Sequence, residues 1–298
     1  MKILVIGCNG QLGKSINDVV KNLPYEVILT SREKIDISNL EETRDKVKYY
    51  KPKIIINASA YTAVDNAEKF PQDSNLINNI AVENLAKVCN EVNGLLFHIS
   101  TDYVFDGFSQ IAYTEDCKTK PESEYGKSKL MGEIAIQKSN CNYIILRTSW
   151  VFSEYGSNFL KTMLKLSITK EEISIVKDQV GCPTYAKDIA LLIFHIISEL
   201  DGEINIKKLY HFSGNEKLSW FNFAKLIFKI QGELNSSFKS PKLIPVDSSE
   251  LNFLAKRPLF SVLDTSKLSK EYHFKPMLLD NAVKQCIEKI NEKDKSSK

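Results

Sequence analysis

Tyr125 and Lys129 are four residues apart, a spacing that places both side chains on one face of a helix. A phenol with an ordinary pKa near ~10 is a poor proton source at neutral pH, and a nearby ammonium group stabilises its phenolate. The pair therefore suits proton transfer, although any exposed helix can carry this spacing. Thr101 follows an apolar run at residues 95–99, where its hydroxyl can either reach a substrate carbonyl or cap a turn. We predict that these three residues form a catalytic group.

A glycine-rich segment lies between the first apolar run and the first helical pattern. Gly7, Gly10 and Gly13 have the spacing GxxGxxG after the apolar run at residues 3–6. In a dinucleotide-binding loop, such glycines permit a tight turn, close approach of the backbone to a pyrophosphate, and close packing of helix on strand. Glycines alone are also typical of ordinary turns. The position between strand and helix favours the dinucleotide-binding interpretation.

The segment after the second strand candidate bears on which dinucleotide binds. NAD-specific proteins usually place an acidic residue there for the adenine ribose, whereas this chain has Ser31 and Arg32. A hydroxyl and a guanidinium suit a 2'-phosphate, because arginine grips phosphate oxygens with two charge-assisted hydrogen bonds. The sequence therefore favours NADPH, with NADH as the alternative if Arg32 is only a solvated surface residue.

Strand and helix patterns alternate through the first half of the chain. Buried strand candidates occur at residues 3–6, 26–29, 53–56, 95–99 and 143–146, with helical patterns between them. This alternation predicts an α/β fold with a Rossmann-like, doubly wound parallel sheet, whose ligands bind at the carboxyl ends of the strands. We expect a dinucleotide-binding domain at 1–150 with a return segment near 186–204, a smaller C-terminal lobe at 151–290 that mainly binds substrate, and a frayed tail at 291–298.

Composition excludes several classes of protein. The 298 residues have a formal charge of +3, and the charges are spread along the chain, which argues against nucleic-acid and membrane binding. The six cysteines form no CxxC pair, so a zinc site or a disulfide framework is not expected and the protein is predicted to be cytoplasmic. The four histidines share no metal-ligand spacing, and His98 and Trp220 are interpreted as core residues.

With these motifs assembled, the chain resembles the dTDP-4-dehydrorhamnose reductase family, a group of extended short-chain dehydrogenases, from Met1 to about Asp280. The segments that show the likeness are residues 7–13, 57–65, 100–107, 125–129, 147–152 and 178–184. The Arg-Thr-Ser-Trp-Val segment and the Asp-Gln-x-Gly-x-Pro-Thr segment are far more specific than the glycine loop. Together they distinguish this family from most sugar epimerases.

The resemblance implies NAD(P)H-dependent reduction of the C4 carbonyl of the nucleotide sugar dTDP-4-dehydro-6-deoxy-L-mannose to dTDP-L-rhamnose, the last step of dTDP-rhamnose biosynthesis. It assigns proton donation to Tyr125, the nicotinamide ribose to Lys129 and the substrate oxygen to Thr101. It also implies two sets of binding residues. The dinucleotide would contact Gln11, Leu12, Asp36, Ile37, Ala58, Ala60, Tyr61, Thr62 and Asn78, and the sugar nucleotide would contact Asp102, Trp150 and Arg257.

One departure from the family pattern concerns metal and assembly. Some members bind magnesium between subunits through glutamates, one of them just after the glycine loop, where this chain has Lys14 and Ser15. We therefore expect no metal-bridged dimer, and instead a monomer or a weak homodimer. Two alternatives stay open at this point: a reductase or epimerase of another nucleotide sugar, and a non-catalytic dinucleotide-binding regulatory subunit.

Overall fold

The computed structural model describes residues 1–296, with side chains described as far as Lys293. Six parallel strands form its central sheet in the order β2-β1-β3-β4-β5-β10. These strands are β1 (Lys2–Ile6), β2 (Glu26–Thr30), β3 (Ile54–Asn57), β4 (Leu95–Thr101), β5 (Asn142–Thr148) and β10 (Lys207–His211). The predicted α/β class and doubly wound sheet are confirmed.

Helices cover both faces of this sheet, as parallel strands require. They are α1 (Gln11–Val20), α2 (Leu40–Tyr50), α3 (Val64–Lys69), α4 (Pro71–Asn75), α5 (Ala81–Glu91), α6 (Glu124–Lys138) and α8 (Ala186–Glu199). A π-helical turn, Leu76–Ile80, joins α4 to α5, and a 3₁₀ turn, Asp102–Val104, follows β4. Helices α1 and α8 share one apolar core with the sheet, while α2, α5 and α6 share the other.

A third apolar core lies beyond the carboxyl ends of the strands. It is called the smaller core here because it contains fewer residues than the two cores on the sheet together. It contains α7 (Phe159–Thr169), α9 (Trp220–Leu234) and α11 (Leu279–Ser296), packed around buried side chains such as Phe152, Phe223 and Ile227. Short strand pairs accompany it: β6 (Val151–Phe152) with β9 (Thr184–Tyr185), β7 (Glu172–Val176) with β12 (Lys242–Val246), and β8 (Val180–Gly181) with β11 (Leu218–Ser219). The remaining helix is α10 (Ser266–Tyr272), which contacts β10 and α8.

The C-terminal part of the chain differs from the sequence expectations in two places. Strand β10 was not predicted, and it extends the main sheet from within the segment expected to form the smaller lobe. Helix α11 continues to Ser296, although a frayed tail was expected from residue 291, and residues 297–298 lie outside the described residues. One reason is that Ile287 is fully buried against α9 and Lys289 bonds to the buried carboxylate of Glu154. Among the described residues, no helix combines the length and apolar character that a membrane span needs.

An ion pair lies buried beneath the carboxyl ends of β4 and β5. The Arg147 guanidinium binds Glu133 of α6, with Nε 3.0 Å from Oε1 and Nη2 2.6 Å from Oε2. The two side chains are only 4% and 1% exposed. Ser100 of β4 donates a further hydrogen bond to the same carboxylate. This carboxylate therefore joins β4, β5 and α6 at the edge of the sheet where ligands are expected.

Removing one partner of this pair should destabilise the fold strongly. We expect Glu133→Ala to lower the free energy of unfolding by about 3–5 kcal/mol, because the Arg147 charge would stay buried without a partner. The exposed Lys229–Glu233 pair is a matched control, with its charged atoms 3.9 Å apart and side chains 64% and 59% exposed. Glu233→Ala should cost less than ~0.5 kcal/mol. Urea unfolding followed by circular dichroism makes the comparison, and equal losses in the two variants would contradict the assignment.

Candidate active site

A cleft of about 820 Å³ lies between the sheet edge and the smaller core. Strand order reverses between β1 and β3, and such a reversal leaves a crevice beyond the strand ends. Many of the residues predicted from the sequence line this cleft. They are Gly10, Gln11, Leu12, Ala58, Ala60, Thr62, Thr101, Asp102, Tyr125, Lys129, Trp150 and Arg257.

The glycine loop has the geometry that a bound pyrophosphate requires. Gly7 has a φ of +85°, and a Cβ there would lie 2.7 Å from the Ser59 backbone nitrogen. A Cβ on Gly13 would lie 2.3 Å from the Gly7 carbonyl oxygen, so α1 packs directly on the loop. Helix α1 begins at Gln11, and its N-cap, Gly10, supplies no side-chain cap. The first N–H groups of the helix therefore suit an anion at the cleft.

The residues after β2 lie outside the lining of the cleft. Arg32 is 73% exposed, and its Nη2 is 3.7 Å from Asp36 Oδ2. Hydrogen bonds from Ser38 lower the pKa of Asp36, against the opposing effect of burial. Ile37 is buried in the core beside α2, and Ser31 accepts through its backbone in the turn that follows β2. Arg32 is thus a largely exposed cation that pairs with Asp36.

Asn78 acts on the cleft through the loop after β3. Its Oδ1 accepts the Tyr61 backbone N–H at 2.9 Å, and its Nδ2 donates to the Tyr61 carbonyl oxygen at 3.0 Å. Neither Asn78 nor Tyr61 lines the cleft, but the flanking residues Ala60 and Thr62 do. The structure therefore makes Asn78 a support for the backbone of this loop.

Thr101, Asp102 and Tyr125 meet at the floor of the cleft. The 3₁₀ turn begins after Thr101, whose hydroxyl donates to Asp102 Oδ1 at 3.0 Å and accepts the Tyr103 N–H at 3.2 Å. Burial raises the pKa of Tyr125 to about 12, although the hydrogen bond with Thr101 lowers it in part. The phenol is therefore protonated throughout the neutral range. This direction differs from the sequence expectation that Lys129 would lower the tyrosine pKa.

Lys129 is buried, and its amine contacts residues near the end of β4. Its Nζ donates to the Ile99 carbonyl oxygen at 2.6 Å and lies 3.3 Å from His98 Nε2. Burial lowers the pKa of Lys129 to about 8, while the Glu133 carboxylate opposes this shift. The Lys129 amine is therefore mostly charged at pH 7 and becomes mostly neutral as the pH rises above about 8.

Asp102 is a buried carboxylate with an oxygen that the fold does not satisfy. The residue is 2% exposed and lines the cleft, and its Oδ2 has no hydrogen-bond partner. Burial raises the pKa of Asp102 to about 6, against the opposing hydrogen bonds from Ser261 and Thr101. A buried acceptor without a partner costs free energy, so this oxygen suits a hydroxyl group of a ligand.

Two tryptophans form part of the wall on the side of the smaller core. The rings of Trp150 and Trp220 stack with centroids 3.4 Å apart and planes 3° apart. A Cβ on Gly181 would lie 2.4 Å from Trp150 Cε2, so this ring needs glycine beneath it. Trp220, which the sequence indicates only as a packing residue, also lines the cleft. It lies 70 positions from Trp150, and no local pattern indicates that the two rings meet.

Arg257 reaches the cleft from a loop that Asp65 holds in place. Arg257 Nη2 donates to Asp65 Oδ2 at 2.6 Å, and the same carboxylate accepts the N–H groups of Leu254 and Ala255. The guanidinium also lies over the Phe253 ring, 4.4 Å from its centroid. Its Nε is buried without a partner, so one donor is left for a ligand.

Known proteins similar to this chain belong to the family that its sequence motifs resemble. A protein-family profile described as the RmlD substrate binding domain matches residues 1–292. The dTDP-4-dehydrorhamnose reductase of Aggregatibacter actinomycetemcomitans is 41% identical over 229 residues, which make up 76% of this chain and 78% of that protein. The corresponding protein of Sinorhizobium fredii is 37% identical over 78% of this chain and 79% of its own length.

Solved structures agree over nearly the whole chain. A dTDP-4-dehydrorhamnose reductase from Clostridium acetobutylicum superposes with a TM-score of 0.91 and 36% identity, covering 98% of this chain and 100% of that one. The one from Bacillus anthracis, in complex with NADP, has a TM-score of 0.88 and 33% identity, covering 97% and 99%. The resemblance predicted from the sequence motifs is confirmed: the chain belongs to the dTDP-4-dehydrorhamnose reductase family.

Proposed function

We propose that this protein is a cytoplasmic, NADPH-dependent reductase that converts the C4 carbonyl of dTDP-4-dehydro-6-deoxy-L-mannose to the alcohol of dTDP-L-rhamnose. One observation carries the proposal more than any other. Thr101, Asp102, Tyr125 and Lys129 line one cleft together with Trp150 and Arg257. Relatives named dTDP-4-dehydrorhamnose reductase support the choice of substrate.

The residues of the cleft fit a nicotinamide dinucleotide. The open space above Gly10, where a Cβ would meet nothing closer than 3.5 Å, admits a pyrophosphate beside the start of α1. Arg32 would bind the 2'-phosphate, and the loop of Ala58, Ala60 and Thr62 would line the adenosine half. The relative solved with NADP supports this assignment. NADH is the less favoured alternative, because Ser31 occupies the position where a carboxylate would bind the ribose.

The chain's residues supply the proton in the proposed reaction. When bound, the reduced nicotinamide supplies the hydride that adds to the carbonyl carbon. Tyr125, protonated at neutral pH, donates its proton to the oxygen as negative charge develops there. The Thr101 hydroxyl hydrogen-bonds the same oxygen, and the Lys129 ammonium holds the nicotinamide ribose. The carbonyl carbon thus gains the hydride and the carbonyl oxygen gains the proton, which gives the alcohol.

The remaining polar groups would orient the sugar nucleotide. Asp102 Oδ2 would accept from a sugar hydroxyl, and the Trp150–Trp220 stack would contact an apolar face of the ring. Arg257 would bind the diphosphate with the donor that the fold leaves free. Lys14 and Ser15, which stand where some relatives have a metal-binding glutamate, support a monomer or weak homodimer without bridging magnesium.

Replacing the proton donor should abolish turnover and spare dinucleotide binding. We expect Tyr125→Phe to lower kcat by ~10²–10⁴, because positioned proton transfer contributes about this much. The assay follows loss of NADPH absorbance with dTDP-4-dehydro-6-deoxy-L-mannose, and mass spectrometry identifies the product. Tyr143→Phe is the control and should keep full activity, because Tyr143 lies near the first residue of β5, at the end of the strand away from the cleft. Full turnover by Tyr125→Phe would remove this residue as the acid.

Removing the guanidinium after β2 should change the preference between dinucleotides. We expect Arg32→Ala to weaken NADPH binding about tenfold and to leave NADH binding nearly unchanged, because a charge-assisted phosphate contact is lost. Lys34→Ala removes a neighbouring exposed cation and serves as the control for net charge. Dissociation constants for both dinucleotides are read from tryptophan fluorescence. An equal effect on NADPH and NADH would contradict the phosphate assignment.

The pH dependence of NADPH binding should report on Lys129. Burial lowers its pKa to about 8, so the ammonium form is present below that pH and is lost as pH rises through it. We therefore expect the affinity for NADPH to fall above pH 8, since the charged amine is the form that binds the ribose hydroxyls. Lys129→Met should bind more weakly at neutral pH and lack this decline. An affinity that stays constant across this range in the natural protein would refute the assignment.

A further inference from the structure

His98 lies directly behind Lys129, in a buried hydrogen-bonded row that starts at the wall of the cleft. Ser59, which lines the cleft, donates to Asn57 Oδ1 through its backbone N–H at 3.1 Å and its hydroxyl at 2.6 Å. Asn57 Nδ2 is 3.1 Å from His98 Nδ1, and His98 Nε2 is 3.3 Å from Lys129 Nζ. Asn57 and His98 are both 0% exposed and are direct partners across β3 and β4.

The row determines which nitrogen of the His98 ring holds the proton. The Ser59 backbone N–H can only donate, so the atom facing it must be the Asn57 oxygen. The Asn57 amide nitrogen then faces His98 Nδ1 and donates to it. A neutral ring that accepts at Nδ1 has its proton on Nε2, which faces Lys129. Burial, and then the charge of Lys129, hold the pKa of His98 well below its ordinary value, so the ring is neutral.

A ring N–H directed at Nζ affects the two forms of the lysine differently. An ammonium has only donors, so it opposes the His98 N–H, whereas a neutral amine has a lone pair that accepts it. The Ile99 carbonyl accepts from either form at 2.6 Å and holds the nitrogen in place. The ring therefore favours the neutral amine and works in the same direction as burial.

The other titratable groups around Lys129 do not act through this contact. Glu133, one turn along α6, attracts the ammonium, but its carboxylate is paired with Arg147 of β5. The 3₁₀ turn contributes Asp102 on the cleft side, and α6 contributes Tyr125 there. The π-helical turn packed on α6 contributes the uncharged amide of Asn78. His98 is thus the titratable group in direct contact with Nζ on the side of the sheet.

The geometry points to His98 as a positioning residue of the reaction: with its tautomer set by Asn57, its Nε2–H favours the neutral form of Lys129 and so helps to set the pH at which this amine changes charge. This inference rests on the proposed function, in which Lys129 holds the ribose of the dinucleotide. It revises the sequence interpretation of His98 as a core residue alone. The pH above which NADPH binding weakens then depends on Asn57 and His98 as well as on Lys129.

Nuclear magnetic resonance of the natural protein tests the tautomer directly. With isotope-labelled histidine, and with the His98 signals assigned by their loss in His98→Phe, we expect an unprotonated Nδ1 and a protonated Nε2. These signals should shift as pH rises through about 8, where the pKa of Lys129 lies, and Lys129→Met should remove that shift. A proton on Nδ1 would overturn the inference, and so would a pH-dependent shift that persists in Lys129→Met.

Asn57→Asp tests the consequence for binding. The carboxylate keeps the Ser59 contacts and accepts from Nδ1–H, so Nε2 becomes an acceptor that favours the Lys129 ammonium. We expect the midpoint of the decline in NADPH affinity to rise by about one pH unit. His195→Phe is the control, since its ring bonds to the Tyr272 carbonyl far from the cleft, and its midpoint should not move. An unchanged midpoint in a folded Asn57→Asp protein would refute the inference.

Failure of this inference is distinguishable from failure of the proposed function. Both experiments use the full chain, and neither needs a sugar nucleotide. If NADPH binding follows the expected pH pattern and no sugar nucleotide is reduced, the substrate proposal is wrong and the role of His98 stands. If Asn57→Asp does not fold, the resonance measurement on the natural protein still decides the tautomer.

Discussion

The Glu133–Arg147 ion pair is the interaction on which the geometry of the cleft depends. With Ser100, it joins β4, β5 and α6. Thr101 ends β4, the Tyr125–Lys129 pair lies on α6, and Trp150 follows two residues after β5. Ser100, which binds the same carboxylate, is the residue before Thr101. A buried pair of this kind contributes little net stability compared with apolar packing, but losing one partner is costly. The constraint therefore acts on position: β4, α6 and β5 are fixed relative to one another at one edge of the sheet.

A second set of polar contacts joins the glycine loop to the smaller core across the cleft. The Gln11 side-chain oxygen accepts from Ser153 at 3.0 Å and from Asn158 at 2.8 Å. Near the other end of α1, Asp18 accepts from Tyr155. Residues at the start of the dinucleotide-binding region thus touch the segment that leads into α7. The Gln11 side chain thus links the start of α1 directly to the segment between β6 and α7.

Burial has opposite consequences for the two ionisable groups of the proposed reaction, and both suit it. Removing a phenol from water raises its pKa, so Tyr125 retains its proton for donation. Removing an ammonium from water lowers its pKa, so Lys129 changes charge near neutral pH. The sequence suggested that the lysine would act on the tyrosine directly. In the fold its amine turns to the end of β4, where Ile99 and His98 receive it.

Local patterns in the sequence determined the α/β class, five of the six sheet strands, the glycine loop and the Tyr125–Lys129 pair, because each depends on neighbours within a few residues. The sixth strand, β10, was missed because its Lys-Lys-Leu-Tyr-His sequence does not alternate between polar and apolar residues and gains a partner only when β5 is in place. The Trp150–Trp220 stack and the contact of Asp65 with Arg257 were hidden for the same reason. His98 and Lys129 are 31 positions apart, and only tertiary packing against β3 sets the Asn57 amide that orients the ring. Residue spacing encodes what one helix or strand can present, whereas protonation state and pairing depend on which elements become neighbours.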